Sequence, residues 1–173
     1  MGIERRHAAV LAADVVGYSR LMETGELGTL RILHAHQLEL IEPSIAAHKG
    51  RIVKTTGDGA LVEFASAVDA VTCAAAVQSK MRERNSGAVQ PVIYRIGINV
   101  GEIIVHAGDI FGNCVNIAAR IENECEPGGV YLSGSAYEQV KGNVDFAFDD
   151  LGERSLKNIE RPVRLFALRL ASP

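Results

Sequence analysis

The segment Ala8-Ala-Val-Leu-Ala-Ala-Asp14 runs without interruption through small and aliphatic residues and stops on a carboxylate. Such a run reads as a buried strand. An ionised group closing a buried strand needs a partner or a cation, because an unpaired charge is too costly to bury. A second aspartate, Asp58, occupies Lys54-Thr-Thr-Gly-Asp-Gly59, between the strand-like stretches 51–54 and 60–64. A tight, glycine-flanked turn projects its carboxylate from the sheet instead of into the core. Two such carboxylates on neighbouring strands suit a hard divalent cation, which takes oxygen ligands and often needs only one or two carboxylates besides substrate phosphates. The pattern points to phosphate chemistry.

Both aspartates also have plain readings. Asp-Gly is a common hairpin signal in which glycine supplies the positive φ, and Asp14 could simply cap the turn that follows it.

At 173 residues, with 47% hydrophobic and 23% charged side chains, the chain has the size and composition of one globular domain. A net charge of −3 gives no basic footprint for nucleic acid, so a nucleotide partner would be a small molecule. No apolar run reaches the ~18 residues of a membrane span. The charged start Met1-Gly-Ile-Glu-Arg-Arg-His7 lacks the apolar core of a signal peptide, and Arg6 breaks the myristoylation pattern. Cys73, Cys114 and Cys125 are odd in number and form no Cys-x-x-Cys pair, which argues against disulfides and zinc and for a cytoplasmic setting. His34 and His36, two apart on a predicted helix, diverge too far to share a metal.

Periodicity predicts a first strand at 8–14 and a helix at 26–47, with Leu27, Leu30, Leu38, Ile41 and Ile45 as its apolar stripe and Lys49-Gly50 as its stop. A hairpin follows at 51–55 and 60–64. Ser66 caps a helix through residue 83, with Val68, Val71, Ala75 and Gln78 along one face. Strands at 92–99 and 102–105 flank a turn at Gly101, and a helix covers 112–124. After Pro127-Gly-Gly129 come a short strand at 130–132, a helix from the Ser133 cap to residue 140, and strands at 146–148 and 162–168. The order β-α-β-β-α-β with later elements indicates an α+β, ferredoxin-like sandwich with C-terminal α/β additions.

The helix at 112–124 carries an apolar stripe of Cys114, Ile117, Ala118, Ile121 and Cys125, and a polar one of Asn113, Asn116, Arg120 and Asn123. Asn116 and Arg120, four apart, emerge together. A guanidinium beside an amide suits phosphate and ribose oxygens; the plain reading pairs Arg120 with Glu124.

Taken together, Ala13-Asp-Val-Val-Gly-Tyr-Ser19, Gly50-Arg-Ile-Val-Lys-Thr-Thr-Gly-Asp-Gly59 and Asp109-Ile-Phe-Gly-Asn-Cys-Val-Asn-Ile-Ala-Ala-Arg120 resemble the class III nucleotidyl cyclase catalytic domain, with Leu156-Lys-Asn-Ile159 as a weaker fourth block. The resemblance spans nearly the whole chain and implies a role for each position. Asp14 and Asp58 match the metal-binding aspartates, with the Val15 carbonyl as a further ligand, for two divalent cations per site, Mg²⁺ or Mn²⁺. Lys54 and Asp109 match the adenine-reading pair, Asn116 the ribose-orienting residue, and Arg120 the residue that stabilises charge on the α-phosphate. Lys157 matches the triphosphate-binding lysine more loosely. The family's sites straddle a head-to-tail dimer, so a chain holding both sets implies a homodimer with two complete sites, using ATP as an adenylate cyclase.

The base pairing has its own logic. Asp109 accepts from adenine N6 and Lys54 donates to N1, whereas guanine presents the reverse polarity. A guanylate cyclase would need other residues at 54 and 109. A silent nucleotide-binding or dimerisation module would be expected to have lost Asp14, Asp58, Asn116 or Arg120. A diguanylate cyclase would need a different turn from Gly57-Asp-Gly-Ala-Leu61. Only His106-Ala-Gly108 separates the strand from Asp109, so the arm that embraces the partner in many relatives is short, and the chain has the look of one catalytic domain of a larger regulated protein.

Overall fold

The computed structural model describes residues 2–170. Strand β1 (Glu4–Val15) is followed by helix α1 (Tyr18–Thr24), helix α2 (Glu26–His36), a π-helical turn (Gln37–Ile41) and helix α3 (Glu42–Ala47). Strands β2 (Arg51–Thr55) and β3 (Gly59–Phe64), helix α4 (Ala67–Asn85), strands β4 (Tyr94–His106) and β5 (Asp109–Phe111) and helix α5 (Asn113–Glu124) come next. The chain continues through β6 (Val130–Ser133), α6 (Gly134–Val140), β7 (Phe148–Arg154) and β8 (Val163–Leu168).

The eight-stranded sheet has the order β2-β3-β1-β4-β6-β8-β7, with β5 paired to β4. The four strands β2-β3-β1-β4 are antiparallel and are joined through helices in the ferredoxin-like manner; β6 adds parallel to β4, and β7 and β8 extend the sheet. The α+β sandwich read from the element order is the architecture found.

β1 is central and buried on both faces, as its composition demands. Ala9, Leu11 and Val15 enter the main core with α4 and the α2–α3 segment, while Ala8, Val10 and Ala12 face α5 together with Ile103, Cys114 and Ala118. Alternation therefore puts Asp14 on the α5 side. Both expected serine caps form: Ser66 Oγ accepts from the Asp69 amide at 3.3 Å, and Ser133 Oγ from the Ala136 amide at 3.1 Å. The three thiols are buried and unpaired. His36 is buried too and accepts from Arg84 Nε at 3.0 Å, a packed histidine and not a metal ligand.

Several expectations need correction. The helix at 26–47 is interrupted at 37–41, where Pro43 lacks the N–H that would bond back to Glu39 and the chain widens into a π turn. The expected stripe is split: Ile45 is buried and Ile41 packs against the core, but Leu27, Leu30 and Leu38 are exposed, and Thr29, Leu33, His36 and Leu40 are buried instead. The left-handed residue that ends the segment is Lys49, φ 63°, not Gly50. Residues 94–106 form one strand without a turn at Gly101, which lies against Cys114 of α5. The true reversal is at Ala107 and Gly108, φ 51° and 81°. Helix α1 and strand β5 were not anticipated, and β7 begins where the predicted strand at 146–148 ends.

Candidate active site

Asp14 lies opposite Gly59 on β3 and opposite Arg95 on β4. A Cβ at position 59 would fall 2.3 Å from the Ala13 carbonyl oxygen, so only glycine lets the hairpin close on β1 at that point. Neither Gly57 nor Gly59 is left-handed. The glycines here supply space, not a left-handed conformation, and Asp58 sits in the turn of the β2–β3 hairpin. The Val15 amide donates to the Asp58 carbonyl at 2.7 Å, and Thr56 Oγ1 donates to Asp58 Oδ1 at 3.1 Å. The end of β1 that carries Asp14 and the β2–β3 turn that carries Asp58 are thereby held together.

Burial raises the pKa of Asp14; a hydrogen bond with Glu122 opposes that rise, the Asp58 charge adds to it, and Arg95 opposes it. Glu122, buried on α5, is the functional neighbour that sequence reasoning missed. Burial first, then its bond to Asp14 and the Asp14 charge, push its carboxyl to about 8. At neutral pH it is the protonated partner, donating to an Asp14 carboxylate. The signal was available: Glu122 falls four residues after Ala118 and three before Cys125, on the apolar stripe of the helix. The contact depends on close seating of α5, for a Cβ on Gly97 would fall 2.4 Å from the Glu122 amide nitrogen.

A desolvated carboxylate beside a second one fits a cation. The donor set is hard oxygen, and among the described residues no group of three or more His, Cys, Asp and Glu side chains is gathered to hold a metal. Asp14 and Asp58 thus supply a partial ligand set, whose remaining positions suit phosphate oxygens and water.

The second constellation forms where the long β1–β4 ladder carries β5 across the α5 side. Ile110 packs in one cluster with Val53 and Leu61, and Lys54 Nζ meets Asp109 Oδ2 at 3.2 Å. The Ile110 amide donates to Asp109 Oδ1 at 2.7 Å. That backbone bond, then Lys54, holds the Asp109 carboxyl below its ordinary range. Asp109 is therefore a fixed, ionised acceptor with a cationic donor beside it.

Asn116 and Arg120 project from the polar side of α5. The Arg120–Glu124 pair of the plain reading does not form; Glu124 pairs with Arg154 at 3.5 Å. Among the described residues, Asn116, Arg120 and Lys157 make no side-chain hydrogen bond or ion pair. Lys157 is exposed between buried Leu156 and left-handed Asn158, φ 62°, on a loop whose Leu156 and Ile159 pack near Ile121 and Cys125. At about 100° per residue, Arg120 points ~160° away from Glu122 around the helix. Glu122 touches Asp14, so Arg120 turns its back on the aspartates of its own chain. No hydrogen bond or ion pair among the described residues joins the aspartate pair to Lys54, Asp109, Asn116, Arg120 or Lys157.

Residues 4–169 match the family described as the adenylate and guanylate cyclase catalytic domain. A Rhizobium meliloti protein named "Putative adenylate cyclase 3" is 50% identical over 166 residues, covering 95% of this chain and 28% of that protein. An adenylate cyclase of Streptomyces coelicolor is 33% identical over 78% of this chain and 34% of its own length. The chain thus spans about a third or less of these curated relatives. Among solved structures, an adenylate/guanylate cyclase/hydrolase from Silicibacter pomeroyi superposes with a TM-score of 0.92 at 43% identity, covering 99% of this chain and all of that one. An adenylyl cyclase from P. aeruginosa gives 0.87 at 25% identity over 99% of this chain and 98% of its own. Among the described residues no helix is long and apolar enough to cross a membrane.

Proposed function

The chain belongs to the adenylate and guanylate cyclase catalytic domain family, and within it we propose an adenylate cyclase that converts ATP to 3′,5′-cyclic AMP and pyrophosphate at sites shared by two copies. The observation that carries the choice of nucleotide is the Lys54–Asp109 pair. An ionised Asp109 can only accept, and the adenine N6 amino group donates; Lys54 can only donate, and adenine N1 accepts. Guanine offers an O6 acceptor and an N1 donor, the opposite order on the same edge. Similarity to proteins named adenylate cyclase agrees with this reading.

The orientation of α5 supports the dimer. Arg120 and Asn116 face away from the aspartates of their own chain, so a second copy would bring them over Asp14 and Asp58. Two complete sites then form from two identical chains by twofold symmetry.

In the reaction, the ribose 3′-oxygen bonds to the α-phosphorus as the bond to the bridging oxygen of pyrophosphate breaks. The 3′-hydroxyl proton passes to water or a phosphate oxygen, since no side chain is placed as a general base. Two divalent cations, Mg²⁺ or Mn²⁺, on Asp14, Asp58 and the Val15 carbonyl would lower the 3′-hydroxyl pKa and offset charge on the leaving group. Asn116 orients the ribose, Arg120 stabilises charge on the α-phosphate oxygens, and Lys157 holds the triphosphate; their work is positioning and electrostatics. ATP as substrate and three buried, unpaired thiols suit the cytoplasm, and the chain acts as one catalytic domain.

Initial rates with ATP and GTP, each with Mg²⁺ or Mn²⁺ over a range of protein concentrations, test this. ATP is preferred, and specific activity rises with concentration until the dimer saturates. Mixing inactive Asp58→Ala with inactive Arg120→Ala restores about a quarter of wild-type activity: half the dimers are mixed, and one of the two sites in each is intact. No recovery despite subunit exchange rules out shared sites.

A further inference from the structure

An ionic cluster beside the Lys54–Asp109 pair has no part in binding nucleotide or cation. The Glu63 carboxylate on β3, residue 8% exposed, accepts from Arg6 Nε at 2.8 Å, from Arg6 Nη2 at 2.9 Å and from Arg51 Nη2 at 2.8 Å. Arg6 alone would neutralise Glu63 and staple β1 to β3. Arg51 does something more: its Nη1 donates to the Gly108 carbonyl at 3.1 Å, in the turn that immediately precedes Asp109.

We propose that Arg51, anchored by Glu63, is a positioning residue for base recognition, clamping the β4–β5 turn so that Asp109 meets Lys54 at the spacing the adenine edge requires. This rests on Lys54 and Asp109 being the base readers.

Two features of the backbone support it. Arg51 lies opposite Glu63 and Lys54 opposite Leu61, with a register shift between Ile52 and Lys54. In a regular strand, residues three apart face opposite ways; the bulge puts Arg51 and Lys54 on one side. The turn, for its part, is not held by its own sequence. Gly108 and the β4–β5 pairing of His106 with Asp109 close the turn, but Ala107 adopts φ 51°, a region alanine disfavours, so a further contact helps to hold it. Arg51 supplies one with a rigid fork, one arm on a carboxylate and the other on the turn. The anchor stays charged, because the Arg6 hydrogen bond, outweighing the burial that opposes it, and then Arg51 hold Glu63 below the ordinary carboxylate range.

The test compares kcat/KM for ATP and GTP in the full chain and its Arg51→Ala, Arg51→Lys, Arg6→Ala and Asp109→Ala variants. Displacement of a fluorescent ATP analogue by each nucleotide serves as a readout independent of turnover. Arg51→Ala is expected to cut the ATP-over-GTP preference about tenfold, chiefly through a higher KM for ATP, with GTP use unchanged. Arg51→Lys keeps charge on Glu63 but cannot span to the Gly108 carbonyl, so it also loses preference; it serves if the alanine variant fails to fold. Arg6→Ala lowers the melting temperature and leaves the preference intact. If Arg51→Ala keeps the preference while Asp109→Ala loses it, or weakens both nucleotides alike, the positioning role is overturned and the base-reading pair stands. If Asp109→Ala also keeps it, the base-reading assignment falls and the positioning role falls with it.

Discussion

Asp14 and Asp109 stand toward opposite ends of α5, one touching Glu122 near its C-terminus and the other on the strand that leads into it, and their surroundings treat the same carboxylate in opposite ways. Burial drives Asp14 toward neutrality and Asp58 adds to the pressure, with the Glu122 bond and Arg95 only partly relieving it. The Ile110 amide and Lys54 instead hold Asp109 ionised in a partly exposed position. A desolvated carboxylate next to another carboxylate gains most when positive charge arrives from outside. One already compensated by its own chain has fixed polarity, the property needed to distinguish one base edge from another. Local environment, more than residue type, separates a cation holder from a reader.

The contrast is broken most severely at the aspartate pair. Asp14→Ala or Asp58→Ala should lower cyclase activity by about 10³-fold or more at saturating Mn²⁺; the melting temperature of the cation-free protein should hold or rise in Asp58→Ala, where a like charge is removed, and fall in Asp14→Ala, where buried Glu122 loses its hydrogen-bond partner. Near-normal turnover in either purified variant would end the cation-holding assignment. A smaller effect is expected at the reader. Lys54→Glu combined with Asp109→Cys should reduce kcat/KM for ATP by about 100-fold and give little GTP activity. Losing a complementary pair acts at once, whereas a new guanine reader needs supporting contacts that two substitutions do not bring. An unchanged ATP/GTP ratio would show that these residues do not read the base.

The smallest effect concerns the shared proton at Asp14. Glu122 has its folded pKa raised from 4.5 to about 8. Its contribution to stability is complete below pH 4.5 and is lost as pH rises through about 8. Without divalent cations, melting temperature should fall by about 5 °C between pH 6.5 and 8.5, from ~2 kcal/mol at 1.36 kcal/mol per pH unit. Glu122→Gln, which cannot ionise, should flatten that slope; a slope equally steep in both proteins would show that Glu122 is already charged.

Much of this arrangement was legible before any coordinates. Asp14 could be placed because an apolar run long enough to be a central strand ended on it, and the α5 stripe could be read because its spacing never broke. Ser66 and Ser133 announced two helix starts. What stayed hidden depended on contacts far away in the chain. Gly59 looks like a turn former but is small because the Ala13 carbonyl crowds it, and Gly101 lies within a continuous strand, while the real turn carries an alanine. Pro43 displaced the α2–α3 stripe by a π turn whose register no periodic template contains. The burial of Glu122 likewise depends on β4 and α5 meeting at Gly97.

That meeting at Gly97 has a mechanical consequence. Backbone rests against backbone there, with no layer of side chains to yield, so α5 is seated on β4 like a bearing without play. In the proposed dimer, the backbone that carries Arg120 and Asn116 therefore moves with its own protomer. Since a misplacement of about 1 Å at a reacting centre can cost on the order of 100-fold in rate, a slight rocking of one rigid protomer on the other would be enough to throttle the reaction. Any signal reaching the domain needs only to set that angle.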